Sequence, residues 1–297
     1  MKILVVGLVN NPQIERLKEE GNKRGHKIDG CYSKDLSLYS KKGLFEPALT
    51  DLDIASYDLI YLWAMSKRRW EWYTALYFLN KTKQTVIVNS KIIDPNYLYY
   101  LSPAMDYLKQ VEEDLPFPTS AVVLSKKSVK KVIDNFSFPV ILKLSGGKQE
   151  RSVFLIKTLE DLEKKIDENK ELSHFFIIRE YIPNDGDIRV FTVGYRTIGA
   201  MKRTPPKGDF RSNISQGGMG AELNLDSNSE IKVLAEKISR TTKTEIAGVD
   251  IMIHKETNKP YILEVNPGPQ FMGLEKYTKV NAALEIIKYF EELVNKK

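Results

Sequence analysis

The stretch that decides the fold is KPYILEVNPGP, residues 259–269, where an apolar run carries Glu264 and Asn266 and then breaks at Pro-Gly-Pro. A buried carboxylate without a partner is costly in free energy, so Glu264 needs a neighbour that explains it. The stretch IAGVDIMI, residues 246–253, supplies one, because Asp250 lies opposite Glu264 if the two stretches pair as a hairpin. Side chains alternate between the two faces of a strand. Asp250, Glu264 and Asn266 therefore share one face.

This shared face predicts a metal site. Directly opposed strand residues have Cβ atoms about 5 Å apart, and like charges at that distance repel. A divalent cation between the two carboxylates would remove the repulsion, and Mg²⁺ prefers oxygen ligands of this kind. We therefore predict that Asp250, Glu264 and Asn266 bind Mg²⁺, with Mn²⁺ as an alternative ion. The competing interpretation is an exposed hairpin face that carries scattered polar residues.

The composition is typical of a soluble globular enzyme. The chain has 297 residues, of which 42% are apolar and 28% are charged, and this length predicts two or three lobes. Its apolar runs are too short to span a bilayer, so no membrane partner is expected. The single cysteine, Cys31, excludes an internal disulfide and suits a reducing compartment. We therefore expect a cytoplasmic protein.

The charge balance leaves more than one kind of partner open. A net charge of +6 fits nucleic acid, a cleft for phosphates and carboxylates, or a lysine-rich solvated surface. No nucleic-acid-binding motif and no zinc-ligand spacing is present, which disfavours nucleic acid. The aromatic stretch 68–80, RRWEWYTALYFLN, is typical of core packing combined with a dimer surface, so a homo-oligomer is one expected assembly.

Strand and helix signals predict three lobes. Residues 1–90 alternate strands and helices, which is typical of a parallel sheet with helices on its faces. Residues 91–182 contain a second mixture of strands and helices. Residues 183–297 are mostly antiparallel strands followed by a C-terminal helix. The predicted fold class is therefore an N-terminal α/β domain followed by two α+β lobes.

Basic residues recur where a phosphate site would need them. Lys143 ends the strand FPVILKL at the mouth of a glycine-containing loop, a position suited to phosphate oxygens; the alternative is a strand-end lysine that faces water. Arg189, Arg203 and Arg211 follow within a short span, and arginine binds phosphate and carboxylate bidentately. Asp187 lies in the turn NDGD, where turn formation alone would explain it.

Several motifs together resemble the ATP-grasp superfamily, and most closely its RimK-like branch of ribosomal-protein glutamate ligases and related amino-acid-adding enzymes. They occur in the expected order over residues 85–297 and read FPVILKL, IIREYIPNDGDIRV, KGDFRSN, QGG, AGVDIM and LEVNPGP. The resemblance implies the ATP-grasp architecture, in which an N-terminal α/β parallel-sheet domain precedes two α+β lobes that enclose ATP.

The resemblance also implies roles for individual residues. Those that would bind ATP are Lys143 at the phosphates, the strand Glu180-Tyr181-Ile182 at adenine, Asp187 at the ribose, and Arg211, Ser212 and Asn213 around the phosphate tail. Those that would serve the reaction are Arg203 and Arg211 at the transferring phosphoryl group, and Asp250, Glu264 and Asn266 as ligands of two Mg²⁺ ions.

The reaction implied by the resemblance joins a carboxylate to an amine. ATP phosphorylates the carboxylate to an acylphosphate, and an amino acid such as glutamate then attacks and releases phosphate. The expected partners are ATP, a carboxylate acceptor that is a small molecule or a protein C-terminus, and an amino-acid donor. Such chemistry depends on positioning and charge neutralisation, so it requires no Ser/His/Asp constellation.

Two positions depart from the family pattern. Glu150 and Ser152 stand where the loop after Lys143 is usually glycine-rich, and neither Lys91 nor Lys109 matches an earlier phosphate-binding lysine. These departures keep two alternatives open beside the ligase. One is an ATP-grasp small-molecule kinase, which would leave phosphate on its substrate. The other is a degenerate ATP-grasp binding protein, which would not bind Mg·ATP.

Overall fold

The structure is a computed structural model that describes residues 1–64, 69–94, 96, 104–145, 152–206 and 219–296. The chain divides into two compact units. The first unit combines Met1–Tyr97, Gly186–Ile251 and Glu264–Lys297, and the second combines Leu98–Asp185 and Met252–Leu263. The first unit therefore contains both ends of the chain. The division into three lobes at residues 90 and 182 stays a prediction.

The first unit contains the predicted N-terminal parallel sheet. Three of its four strands are mostly buried and apolar, as expected when helices cover both faces, whereas the edge strand KIDGC has an exposed lysine and two half-buried residues. In the spatial order β2-β1-β5-β6, they are β2 (Lys27–Cys31), β1 (Lys2–Val6), β5 (Leu59–Leu62) and β6 (Val86–Val88). The helices that follow β1 and β5 are α1 (Pro12–Lys23) and α2 (Arg69–Lys83). This part of the fold agrees with the sequence prediction.

An antiparallel hairpin stands between β2 and β5 and was not predicted. It consists of β3 (Leu36–Lys41) and β4 (Leu44–Leu49). Its inner face packs against α2, where the rings of Phe45 and Phe78 meet edge to face at 5.0 Å. Most residues of both strands are exposed or half-buried, so few of them need to be apolar and the alternation in this stretch is weak.

The first unit also contains most of an antiparallel five-stranded sheet. Its order is β13-β12-β11-β14-β15, with β11 (Asp187–Val193), β12 (Arg196–Thr204), β13 (Met219–Glu222), β14 (Ile246–Ile253) and β15 (Pro260–Asn266). Its helices are α6 (Ser229–Thr241), α7 (Met272–Tyr277) and α8 (Ala282–Asn295). The predicted strands 246–253 and 261–266 are therefore confirmed as neighbours in one sheet.

The second unit is built on a four-stranded antiparallel sheet. In the order β7-β10-β8-β9, its strands are β7 (Ser120–Val123), β10 (Phe176–Glu180), β8 (Val140–Leu144) and β9 (Val153–Ile156), and its helices are α3 (Ala104–Glu112), α4 (Lys126–Val129) and α5 (Leu159–Asn169). The sequence predicts one helix over 125–136, which is wrong. Only α4 and a 3₁₀ turn at Ile133–Asn135 form there, and the extended Phe136 ends the helical backbone.

Across the parts of the chain that the structure describes, no helix is both long and apolar enough to cross a bilayer.

Candidate functional site

Four charged side chains of alternating sign form a row across β12, β11 and β14. Asp187 and Arg203 are directly paired residues of β11 and β12, and Arg203 donates to Asp187 through Nε (2.7 Å) and Nη2 (2.5 Å). The same Nη2 donates to Asp250 Oδ1 at 2.9 Å. Arg189 donates to both oxygens of Asp250, with Nη2 2.7 Å from Oδ2. The row Asp187–Arg203–Asp250–Arg189, called the charged row below, is neutral overall.

The charged row is largely buried, so this face of the sheet is not an exposed surface. Asp250 and Arg203 are each 5% exposed and Asp187 is 7% exposed. Burial raises the pKa of Asp250, and the charges of Arg189 and Arg203 oppose that effect. Burial lowers the pKa of Arg203, but Asp250 and Asp187 outweigh it, so that pKa is raised overall. The interpretation of an exposed hairpin face with scattered polar residues is therefore wrong for Asp250.

Gly248 leaves the space that Arg189 occupies over β14. A Cβ atom on Gly248 would lie 3.0 Å from Arg189 Nη1, 3.1 Å from its Cδ and 2.8 Å from Pro269 Cβ. Side chains two residues apart in a strand share a face, so Gly248 and Asp250 lie side by side. A larger residue at 248 would push Arg189 off Asp250.

Glu264 and Asn266 lie at the end of β15 in a more open position. Glu264 is exposed, Asn266 is half-buried, and Asn266 Nδ2 donates to Glu264 Oε1 at 2.9 Å. The Asn266 amide oxygen is therefore turned away from Glu264. The carboxylate of Glu264 and the amide oxygen of Asn266 are ligand types that suit a hard cation such as Mg²⁺. Asp250 can add an acceptor, because a carboxylate offers about four lone-pair sites and the arginines use three.

The predicted polar face is not polar throughout. Val249 and Ile251 are fully buried and Val265 is 6% exposed, as the apolar face requires. Ile262, which alternation groups with Glu264, is only 1% exposed. Its backbone N–H donates to Pro116 O at 2.9 Å, so the chain at Pro116 lies against this part of β15. Within the described ranges, no cluster of three or more His, Cys, Asp or Glu side chains forms.

The residues implied for adenine lie in the second unit, where β10 ends. The Glu180 backbone N–H donates to Thr119 O at 2.8 Å, and the Glu180 side chain accepts from Thr119 N at 3.1 Å. Ile182 is 3% exposed, and its carbonyl accepts from Asn184 Nδ2 at 2.7 Å. The strand end is thereby held in one conformation by its own neighbours.

Lys143 lies in β8 opposite Ile177 and is half-buried. Two residues later, Ser145 fixes the start of the following loop, because its N–H donates to Ser173 Oγ at 2.7 Å and its hydroxyl accepts from His174 N at 2.8 Å. Residues 146–151 of that loop, including Glu150, lie outside the described residues, whereas Ser152 is buried and its carbonyl accepts from Leu144 N at 2.8 Å. The predicted site residues Arg211, Ser212 and Asn213 also lie outside the described residues.

The two lysines that flank the family's earlier phosphate-binding position have other partners here. Lys91 is 2% exposed, and its ammonium donates to Thr242 O and Thr244 Oγ1, both at 2.7 Å. Lys109 pairs with Glu112 at 2.6 Å one helical turn away. Lys91 therefore holds the turn between α6 and β14.

Comparison with known proteins identifies the family to which this arrangement belongs. Residues 104–290 match the family described as the RimK-like ATP-grasp domain. The chain belongs to the RimK-like ATP-grasp family. Its α/β and α+β fold class is also that of a solved ATP-grasp ligase, PsnB complexed with a phosphomimetic variant of its minimal precursor, Mg and ADP. That likeness has a TM-score of 0.68 at 16% identity and covers 98% of both chains, so it shows the fold.

Curated relatives of this RimK-like chain are named glutamate ligases. The probable alpha-L-glutamate ligase of Legionella pneumophila (strain Corby) is 29% identical over 181 residues, which is 60% of this chain and 59% of the relative. The ribosomal protein bS6–L-glutamate ligase of Escherichia coli O139:H28 is 29% identical over 198 residues, or 64% and 65%. The chain thus spans about three fifths of the length of the curated relatives that it matches.

The structure assigns contacts to one arginine that the sequence analysis left without a role. The sequence places Arg189 only among several clustered arginines, whereas in the structure it binds Asp250 through two hydrogen bonds. A signal for it was present, because Asp187 and Arg189 are two residues apart on one strand and therefore face the same side.

Proposed function

We propose that this chain is an ATP- and Mg²⁺-dependent ligase that joins a carboxylate acceptor to an amino acid, with glutamate as the first donor to test. The amino-acid donor is suggested by the names of the relatives, which are glutamate ligases. The acceptor is a small molecule or a protein C-terminus, and the bS6 ligase of E. coli favours testing a peptide first.

The observation that carries the proposal is the charged row, which includes Asp250 on β14, the strand next to the one that carries Glu264 and Asn266. The row neutralises itself within the protein, so it presents preformed donors without a net charge that would require outside compensation. Nε and Nη2 of Arg189 and Arg203 are engaged by carboxylates. In the described part of the chain, no hydrogen bond uses Nη1 of either arginine. These two NH2 groups can donate to oxygens of a transferring phosphoryl group.

We assign the following roles in the reaction to residues of this chain. Arg203, held by Asp187 and Asp250, and Arg211 stabilise charge on the phosphoryl oxygens during formation of the acylphosphate, since phosphoryl transfer depends on positioning and charge neutralisation. Arg189 holds Asp250 in place. Mg²⁺, when bound, would neutralise phosphate charge as a Lewis acid. Asp250, Glu264 and Asn266 are the residues proposed to hold it, and Mn²⁺ can replace it.

For ATP itself we propose the residues that the family resemblance indicates. Lys143 binds the phosphates, and the backbone of Glu180, Tyr181 and Ile182 binds adenine. Asp187 binds the ribose, and the stretch 211–213 surrounds the phosphate tail. The anchored Ser145, which follows Lys143, supports the phosphate-binding loop.

The experiment follows Mg²⁺-dependent phosphate release and product mass, with ATP, glutamate and carboxylate acceptors that include glutamate-ending peptides. The ligase hypothesis predicts that phosphate is released and that the acceptor gains one amide-linked amino acid. Glu264→Gln should reduce turnover by about 100-fold or more while leaving the unfolding temperature unchanged. Glu256→Gln is the matched control, because Glu256 is an exposed residue of the same hairpin's loop, and it should retain full turnover.

Other outcomes identify other functions. Phosphate that remains on the substrate would identify a kinase. Calorimetry that detects no ATP binding at millimolar concentration, with or without Mg²⁺, would favour a degenerate binding protein and overturn the ligase. Equal turnover by Glu264→Gln and the wild type would refute the proposed role of Glu264 as a metal ligand.

A further inference from the structure

We propose that two buried residues, Tyr61 in β5 and Asn89 directly after β6, are positioning residues for the metal-ligand strand β15. They bind the backbone carbonyl of Pro267, the residue that directly follows Asn266. This inference rests on the proposed function, and its test is designed to separate a failure of one from a failure of the other.

Two side chains converge on one carbonyl oxygen. The Tyr61 hydroxyl donates to Pro267 O at 2.9 Å, and Asn89 Nδ2 donates to the same oxygen at 3.0 Å. A carbonyl oxygen has two lone pairs, so this acceptor is fully used. Pro267 has no backbone N–H, so its carbonyl is the backbone group of this residue that can take part in a hydrogen bond.

Asn89 holds the metal face from both of its strands. Its Oδ1 accepts from the N–H of Ile246 at 3.0 Å, where β14 begins, four residues before Asp250. Its Nδ2 reaches Pro267, one residue beyond the end of β15. A single amide side chain therefore connects the start of the strand that carries Asp250 with the end of the strand that carries Glu264 and Asn266.

The local sequence is specialised for these contacts and is not generic core. Tyr61 is 0% exposed, and a buried hydroxyl without a partner would be destabilising, whereas phenylalanine would fill the same space without that requirement. Asn89 has φ +60°, in the left-handed region that asparagine tolerates better than most residues. Tyr61 thus supplies the hydroxyl that binds Pro267, and Asn89 supplies both an amide donor and a residue that tolerates this backbone conformation.

Gly268 brings the same turn into contact with β5. A Cβ atom on Gly268 would lie 2.2 Å from the carbonyl oxygen of Trp63, closer than any real Cβ contact. The turn after Asn266 therefore lies against the backbone that follows Tyr61. Groups that orient metal ligands from behind usually change metal affinity about 10–100-fold when they are removed. Tyr61 contacts the residue that follows the proposed ligand Asn266 and not the ligand itself. We therefore expect the loss of its hydroxyl to change Mg²⁺ affinity by less.

The test compares Tyr61→Phe with Tyr57→Phe. Tyr57 is also buried, and its hydroxyl donates to Asp29 Oδ2 at 2.9 Å, so both variants lose one buried tyrosine hydrogen bond near the same sheet. Calorimetric titration with ATP over a series of Mg²⁺ concentrations gives the concentration at half-maximal enhancement. Tyr61→Phe should raise this half-maximal Mg²⁺ concentration about threefold to tenfold, and Tyr57→Phe should leave it unchanged. ATP binding without Mg²⁺ should be equal in all three proteins.

A second variant keeps the inference testable if Tyr61→Phe folds poorly. Asn89→Gly retains the left-handed backbone, which glycine adopts without strain, and removes the side chain together with its hydrogen bonds. It should shift the Mg²⁺ dependence in the same direction. Wild-type-like Mg²⁺ dependence in Asn89→Gly, or equal shifts in Tyr61→Phe and Tyr57→Phe, would overturn the positioning role while leaving the ligase intact. A wild type whose ATP binding ignores Mg²⁺ would overturn both.

Discussion

Replacing Arg203 by methionine should destabilise the protein by about 3–5 kcal/mol, the range found when one partner of a buried ion pair is removed. The side chain is 5% exposed and donates to two carboxylates. Without it, Asp187 loses the arginine that binds both its oxygens, and Asp250 keeps only Arg189. Methionine preserves much of the side-chain volume, so the loss reports the charge interactions more than a cavity.

The predicted change is large enough to measure by thermal unfolding. At about 2 °C per kcal/mol for a chain of this size, the unfolding temperature should fall by roughly 6–10 °C. Circular dichroism during heating gives that temperature. Adding Asp187→Asn to Arg203→Met should recover part of the loss, because it removes one of the two carboxylates left without compensation.

A matched control lies on the same strand. Arg196 also belongs to β12 and also pairs with a carboxylate, Glu292, at 3.1 Å, but the two side chains are 63% and 41% exposed. Exposed pairs contribute about 0–1 kcal/mol, so Arg196→Met should shift the unfolding temperature by less than about 2 °C. If Arg203→Met and Arg196→Met cost the same, the reasoning that burial makes the charged row stabilising is refuted.

Three further predictions concern other buried or paired groups. Lys91→Met should cost about 2–3 kcal/mol, because Thr244 and a nearby carbonyl lose their donor; urea unfolding measures this, and a cost below 1 kcal/mol would contradict it. The hydrogen bond from Arg24 lowers the pKa of Glu291 to about 2, so the stability difference between wild type and Glu291→Gln should be full above about pH 4.5. It should vanish as the pH falls towards 2, and a difference independent of pH would exclude the ion pair. Burial raises the pKa of Cys31 to about 12, so iodoacetamide at pH 8 should label it only after denaturation; labelling of the folded protein would show that the thiol is accessible.

The hairpin that opened the sequence analysis was predictable because its information is local. The two strands, the loop between them and the break at Pro-Gly-Pro all lie within 246–269, and alternation identifies the chemical character of each residue. The parallel sheet was predictable for a similar reason, since buried strands are continuous apolar runs. The β3–β4 hairpin was missed because most of its residues are exposed or half-buried, which leaves few apolar positions and a weak pattern.

The partners of the charged residues were not predictable, because they depend on pairing over long distances. Arg203 meets Asp187 across 16 residues and Asp250 across 47. Lys91 meets Thr244 across 153 residues. Composition cannot reveal that this lysine is buried, since most lysines lie at the surface. The partners of these charged residues therefore follow from the fold and cannot be identified from the sequence around each residue.

The pairing also changes how the predicted roles of Asp187 and Arg203 can be tested. The family resemblance assigns Asp187 to the ribose and Arg203 to the phosphoryl group, as if the two acted separately. In the structure each is the other's bidentate partner, so a substitution at either residue disturbs both. A loss of ATP affinity in Asp187→Asn therefore does not by itself establish ribose contact, because it also releases one side of Arg203. Only a comparison of ATP with its 2′,3′-dideoxy analogue separates the two. If Asp187 binds the ribose hydroxyls, the substitution should weaken ATP more than the analogue; if it acts through Arg203, it should weaken both equally.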